Sequence, residues 1–307
     1  MHTPTTPSAD STDTPSPTWP VGDLTVHRID EVPLPAETGH WLLPDATPEL
    51  VADVPWLRPD FADASGALRL VSQSFAFEVD GMRVLVDTGI GNGKPRANPA
   101  WNNLLSDYPD RLAAAGFAPE TVDLVVLTHL HTDHVGWNTR ADGTAWRPTF
   151  PHARYVTSRV EWDHWAATEM DAARQQMFRD SVHPVREAGQ LDLVELPAEG
   201  AEVAPGVRLV PTPGHTPGHL AVELDGGTGT ALITGDALHH PVQTAHPGIT
   251  SCVDIDPRQA TATRRRLLAS LAGSGTLVLG THFPDPTAGL VTAHGDAYGF
   301  TPVPPGA

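Results

Sequence analysis

Between residues 128 and 137 the chain reads THLHTDHVGW, which crowds His129, His131, Asp133 and His134 into six positions. Imidazole and carboxylate are the donors that borderline divalent cations prefer. His129 and His131 are two apart, so in extended backbone they point to one side and can grip a single ion. Asp133 and His134 follow where a tightening turn swings them toward a neighbouring position. Three other segments deliver a donor of the same kind: VRLVPTPGH ends in His215, ALITGD in Asp236 and TLVLGTH in His282. The set accommodates two cations, one on His129, His131 and His215, the other on Asp133, His134 and His282, with Asp236 able to bridge. These donors suit Zn²⁺, with Mn²⁺, Fe²⁺ or Co²⁺ as alternatives. The single cysteine, Cys252, leaves no intramolecular disulfide and no cysteine-rich zinc module.

Each donor follows a short apolar run that reads as a buried strand, and ligands at strand ends converge on one edge of a sheet. LRLVSQSFAFEV and MRVLVDTG flank Asp80-Gly81 and predict a hairpin. ARYVT, LDLVEL, VRLVPT, LAVEL, ALIT and TLVLG predict further strands. RVEWDHWAATEMDAARQQMF reads as one helix, and another is expected from Asp256-Pro257-Arg258-Gln259, a cap residue followed by proline. Hairpins mixed with strand-helix alternation predict an α/β layered sandwich with mixed sheets. Residues 1–22, rich in Pro, Ser and Thr, are expected to form a disordered tail, and 23–307 a single domain. The loop-rich stretch around Trp41, Trp56 and Phe61 is read as a lid, a subunit contact or a loop packed on its own core.

Nineteen basic against 37 acidic residues give a net charge of -18, which opposes nucleic acid and anionic membrane surfaces as partners. The one basic run, Arg264-Arg265-Arg266, falls in a predicted helix. No stretch has the length of a membrane span, and the N-terminus lacks the pattern of a signal peptide. A cytoplasmic location is therefore expected, with a small molecule as the partner and a homodimer allowed by the apolar N-terminal loop.

The order H-x-H-x-D-H, GHTPGH, TGD and GTH resembles the metallo-β-lactamase-fold hydrolase superfamily from Leu24 to about Phe300. All seven ligand positions of a dinuclear member are matched. The resemblance implies an αββα sandwich, two mixed sheets flanked by helices with the dimetal site at one edge. VLVDTG is also similar to the family's turn, which implies that Asp87 supports the ligands from behind; His219, the second histidine of GHTPGH, is expected to be a hydrogen-bonded support. Within the superfamily the chain is most similar to the branch holding N-acyl-homoserine lactonases and methyl parathion hydrolase. That implies hydrolysis of a lactone, carboxylic ester or phosphotriester in a small, partly apolar substrate. The attacking group would be a hydroxide held between the ions, with Asp133 and Asp236 also relaying the proton.

In the lactonases a tyrosine three residues after the bridging aspartate helps bind the substrate carbonyl. Here that position is His239, read as a polar contact or proton donor to the leaving group, or else as a solvent-exposed histidine before Pro241. Trp41, Trp137 and Phe283 flank the ligand segments and are expected to line an apolar pocket or to pack in the core. Two other functions are compatible with the motifs: an iron-dependent redox enzyme similar to sulfur dioxygenases, and a metal-binding scaffold without turnover.

Overall fold

A computed structural model of the chain describes residues 15–295 and 297–306, and its first strand already lies inside the stretch expected to be a tail. Strand β1 (Thr18–Val21) turns through Gly22, at φ 59°, onto β2 (Leu24–Pro33). Trp19 is fully buried, and its Nε1 donates to the Val303 carbonyl at 2.8 Å. One large aromatic side chain recovers ordering entropy that the average composition of the segment conceals. The rest of the expected tail, residues 1–14, lies outside the described residues.

Strands β3 (Val71–Val79) and β4 (Met82–Val86) form the expected hairpin. Asp80 and Gly81 both adopt positive φ, 50° and 76°, as a two-residue primed turn requires. The same sheet continues through β5 (Leu124–Val126) to two later strands. A small separate hairpin, β6 (Thr139–Asp142) with β7 (Ala145–Pro148), precedes these, which are β8 (Arg154–Ser158) and β9 (Leu191–Val194). The order is β1-β2-β3-β4-β5-β8-β9, antiparallel as far as β4 and parallel beyond it.

A second seven-stranded sheet runs in chain order. Its strands are β10 (Ala201–Ala204), β11 (Val207–Pro211), β12 (Leu220–Asp225), β13 (Thr230–Ile233), β14 (Leu277–Leu279), β15 (Ala288–His294) and β16 (Ala297–Pro302). Only β13 and β14 pair in parallel.

The two sheets pack face to face. Leu124 and Val126 point into the shared core, while Val125 between them faces the opposite side with Tyr108, Leu112 and Trp165. Strand β14 does the same, with Leu277 and Leu279 inward and Val278 outward against Leu268. Short strands with apolar residues on both faces are what a sheet covered by helices on its outer side demands.

Eight α-helices flank the sheets among the described residues. Helix α1 (Ala36–Leu42) and α2 (Pro48–Ala52) fall in the loop-rich segment, and α3 (Tyr108–Ala114) covers the first sheet. The stretch expected as one helix breaks into α4 (Arg159–Ala167) and α5 (Ala172–Met177). Thr168 leaves the helical region at ψ 134°, and Asp171 starts the next helix by accepting from the Arg174 amide at 2.7 Å. A five-residue π-helical turn, Phe178–Val182, continues α5 and leads to α6 (His183–Glu187). Beyond α7 (Val242–Ala245), α8 (Pro257–Leu271) makes the crossover between β13 and β14. Asp256 caps it as expected, accepting from the Gln259 amide at 2.9 Å. In the loop-rich segment Leu43, Leu57 and Phe61 are fully buried, so most of it packs on its own core; Trp41 stays 59% exposed.

Candidate metal centre

The seven donors named from the sequence meet at the ends of β5, β11, β13 and β14. They fall into two groups able to hold an ion: His129, His131, His215 and Asp236 in one, Asp133, His134 and His282 in the other. Asp236 stands between them and divides its oxygens. Its Oδ2 lies 3.6 Å from His129 Nε2 and 3.3 Å from His215 Nε2, while Oδ1 lies 3.4 Å from His134 Nε2 and 3.1 Å from His282 Nε2. Asp133 reaches the second group, at 3.9 Å from His134 Nε2 and 3.7 Å from His282 Nε2. A tetrahedron with bonds of ~2.1 Å has edges of about 3.4 Å, so these separations match donors around a cation.

Three donor atoms, His129 Nε2, His134 Nε2 and Asp236 Oδ1, are buried without a hydrogen-bond partner among the described residues. Each such atom costs about 1–3 kcal/mol if nothing satisfies it. Their convergence is the signature of a site built for cations.

The protein fixes how the rings point by engaging the other nitrogen. His129 Nδ1 meets Thr128 Oγ1 at 3.0 Å, His134 Nδ1 meets Asp87 at 2.8 Å, and His215 Nδ1 meets Asp254 at 2.9 Å. His282 Nδ1 faces the Val71 carbonyl at 2.8 Å. These four therefore present Nε2, whereas His131 turns Nδ1 inward, 2.9 Å from His215 Nε2. Asp87 also accepts from the Thr128 amide and hydroxyl, so one carboxylate braces both ends of the first ligand loop. His219 takes the Asp236 amide on Nε2 at 2.8 Å and contacts Thr212 through Nδ1 at 2.7 Å, so both its ring nitrogens are engaged.

Two glycines allow these loops to close. A Cβ at Gly136 would sit 1.9 Å from the Ile90 carbonyl carbon, where the Asp87-Thr88-Gly89 turn backs onto the ligand loop. Gly235 adopts φ +50°, and a Cβ there would press on His219 Nε2 at 2.7 Å.

Electrostatics follow from burial and proximity. Burial, reinforced by the neighbouring imidazoles, holds His129 and His131 well below the ordinary histidine range. Burial acts in the same direction on His134, but Asp236, Asp87 and Asp133 outweigh it and raise that ring well above. His282 is raised for the same reason, by Asp236 and Asp133 against burial. Burial would raise Asp236, yet the surrounding histidines, His134 first, hold it well below the usual carboxylate range. That direction favours the charged carboxylate, the form in which an aspartate binds cations.

Sequence reasoning missed several residues that complete the site. Glu161, fully buried, accepts from the Leu130 amide, Trp165 Nε1, the Thr216 hydroxyl and the Gly218 amide, tying the His129 loop to the His215 loop. Ser158 and Glu161 carry the spacing of a helix-capping pair, and Ser158 does cap α4, so nothing in the string marks the carboxylate's second task. Asp254 lies 39 residues after His215 and is braced from behind by Arg264, which α8 buries and which donates to the Ala237, Pro247 and Ile249 carbonyls.

A cavity of about 290 Å³ opens over the ligands, lined by His131, Asp133, Asp236, His239 and His282 below and by Trp41, Trp101 and Trp165 among its walls. Trp41 is one of these lining residues. Trp137 is not: a 3₁₀ turn carries it inward, where it stacks on Tyr108 and donates to Glu31 at 2.9 Å. Phe283 is also absent from the cavity lining; fully buried, its ring covers Gly280 and meets Phe300 edge-on. His239 is buried rather than solvent-exposed, 3.2 Å from Asp236 Oδ2, with both ring nitrogens unpartnered among the described residues.

Two mixed sheets with helices outside and a histidine-aspartate cluster at the strand ends define a metal-binding hydrolase class. The Metallo-beta-lactamase superfamily pattern matches residues 68–296, and the chain belongs to that superfamily. Among curated relatives, an N-acyl homoserine lactonase of Bacillus thuringiensis is 25% identical over 185 residues, covering 56% of this chain and 66% of its own length. The N-acyl homoserine lactonase AttM of Rhizobium radiobacter is 31% identical over 156 residues, covering 47% of this chain and 54% of its own. The chain thus spans less than two thirds of the length of these relatives.

Solved structures extend the likeness of fold to almost the whole chain. The hydrolase AbOPH of the beta lactamase superfamily superposes with a TM-score of 0.76 at 22% identity, covering 95% of this chain and 98% of that one. AidC, a dizinc quorum-quenching lactonase in complex with a product, gives 0.73 at 19% identity, covering 94% and 97%. Among the described residues no helix is long and apolar enough to cross a membrane.

Proposed function

We propose that the protein is a dinuclear metal-dependent hydrolase that cleaves an ester-type bond, in a lactone, carboxylic ester or phosphotriester, of a small and partly apolar substrate. The observation that carries this reading is Asp236, whose two oxygens address the two donor groups separately. Two divalent ions, Zn²⁺ by the donor set, would be held by His129, His131 and His215 and by Asp133, His134 and His282, with Asp236 shared. When bound, such ions supply water acidic enough to lose a proton near neutral pH and a Lewis acid for the substrate oxygen.

The chain's own residues do the rest. Asp133 keeps 16% of its side chain exposed toward the cavity, more than Asp236 at 5%, and is placed to take the proton given up by the attacking water. His239 lines the same cavity and, beyond its 3.2 Å approach to Asp236, has no hydrogen-bond partner for its ring among the described residues, so it donates to the oxygen on which charge develops or to the leaving group. It stands where the lactonases carry tyrosine. Trp41, Leu42, Trp101 and Ile255 exclude water and accept an apolar substrate body.

Lactonase and hydrolase relatives support this reading over a single-iron redox centre, which would leave Asp133, His134 and His282 without a task. The test is hydrolysis of a panel containing an N-acyl homoserine lactone, an aryl ester and a phosphotriester by zinc-loaded and chelator-stripped protein. Turnover of at least one class that vanishes on stripping and returns with zinc is expected; activity indifferent to stripping would end the proposal.

A further inference from the structure

Arg174 has no role in the site as described. Its guanidinium lies 4.0 Å over the Trp165 ring, which in turn stands beside His131 at 5.8 Å between centroids. The side chain borders the cavity over the ligands and also a second one of about 620 Å³; Thr38, Trp41, Trp101 and Thr132 are common to both. Arg174 Nη1 is buried and has no hydrogen-bond partner among the described residues. Asp171, Glu161 and Asp133 attract the guanidinium from a distance. A guanidinium placed over an aromatic ring and bordering a cavity, with one N–H still lacking a partner, suits an anionic acceptor such as a carboxylate.

A second arginine, Arg96, also lines the larger chamber, and its charge is already paired. Arg96 grips both carboxylate oxygens of Asp180, each at 2.9 Å, from the loop that carries Trp101. Asp180 sits in the π-helical turn that continues α5, so the bridge ties the Trp101 loop to the helix bearing Arg174. The remaining charged groups lining the larger chamber are Glu37 and Asp171, both exposed.

We propose that Arg174 is a specificity-determining residue that receives a carboxylate of the substrate, so that the preferred substrate is an ester or lactone bearing an anionic group beyond the scissile carbonyl. The apolar part of that substrate lies along Trp41 and Trp101 into the larger chamber. The hydrolytic half of this inference rests on the function proposed above; the binding half does not.

Binding is therefore measured first, on metal-free protein, so that a carboxylate has no ion to bind. Phenylbutyrate and uncharged phenylbutanol are titrated against the tryptophan fluorescence of the wild type, Arg174→Gln and Arg174→Lys. The wild type is expected to favour phenylbutyrate by about tenfold or more. Arg174→Gln should bring that ratio near one, and Arg174→Lys should recover part of it. Thermal melts confirm that both variants fold.

Zinc-loaded enzyme is then compared on nitrophenyl esters of a straight-chain acid with and without a terminal carboxylate, where the wild-type preference in kcat/KM should collapse through KM in Arg174→Gln. A wild type indifferent to the carboxylate, or a ratio unchanged in Arg174→Gln, overturns the assignment. If the binding pattern holds while neither ester is cleaved, the carboxylate site stands and the assignment of an ester substrate to it fails.

Discussion

Replacing Glu161 by glutamine tests whether one buried carboxylate holds the two ligand loops together. Glu161 Oε1 accepts from the Leu130 amide at 3.0 Å and Trp165 Nε1 at 2.7 Å; Oε2 accepts from the Thr216 hydroxyl at 2.6 Å and the Gly218 amide at 3.2 Å. Glutamine keeps one acceptor oxygen and turns an NH₂ toward the other pair. The cheaper orientation leaves the oxygen on Leu130 and Trp165, because the Thr216 hydroxyl can rotate to accept whereas the Gly218 N–H cannot.

One orphaned buried amide costs about 1–3 kcal/mol, and that is the destabilisation expected for Glu161→Gln in metal-free protein. Leu130 lies between His129 and His131, and Thr216 adjoins His215, so zinc affinity should fall with it, by about tenfold or more. Urea unfolding of the metal-free chain gives the first quantity, at unchanged m, and competition with a chelating dye gives the second. A variant within about 0.5 kcal/mol of wild type whose zinc affinity is unaltered would refute the reasoning.

Two further outcomes follow from buried groups. Lys94 is fully enclosed, donating to Thr139 Oγ1 at 2.6 Å and the Asp180 carbonyl at 3.1 Å, and burial pushes it down to about 7 from 10.5, with Asp180 opposing. Between those values only the unfolded chain keeps the proton, so stability should rise with pH across that window, by at most about 1.4 kcal/mol per unit. In Lys94→Met this contribution is absent; urea midpoints that give a pH-independent difference between wild type and variant from about pH 7 to 10 would contradict it. Asp254→Asn weakens the partner that aims His215, so zinc affinity should drop about 10–100-fold, and an unchanged dye-competition constant would show that His215 needs no such partner.

The convergence of the seven donors is legible in the sequence because each group follows a short apolar run, and strand ends bring distant segments to one edge without the intervening chain having to be understood. The pocket is not. Trp137 and Phe283 are close in sequence to ligands, but neighbouring residues at a turn point to different sides, and both side chains go inward. Arg174 and Trp101 reach the cavity from α5 and from the loop before α3, and their approach depends on the helix break at Thr168 and the Arg96–Asp180 bridge. Strand β1 was hidden by averaging: Pro, Ser and Thr around it outweigh the single tryptophan that anchors it. His239 follows Asp236 by three positions in the sequence and lies beside it, while its burial depends on long-range packing that the local string does not encode.

The central claim is that Asp236 is shared between two cations. Metal content per chain, measured by mass spectrometry after zinc loading and desalting, tests it most directly. The account predicts two zinc ions in the wild type, one in His282→Ala, and fewer than one in Asp236→Ala. A wild type retaining one ion or none, or an Asp236→Ala variant that still holds two, would contradict it.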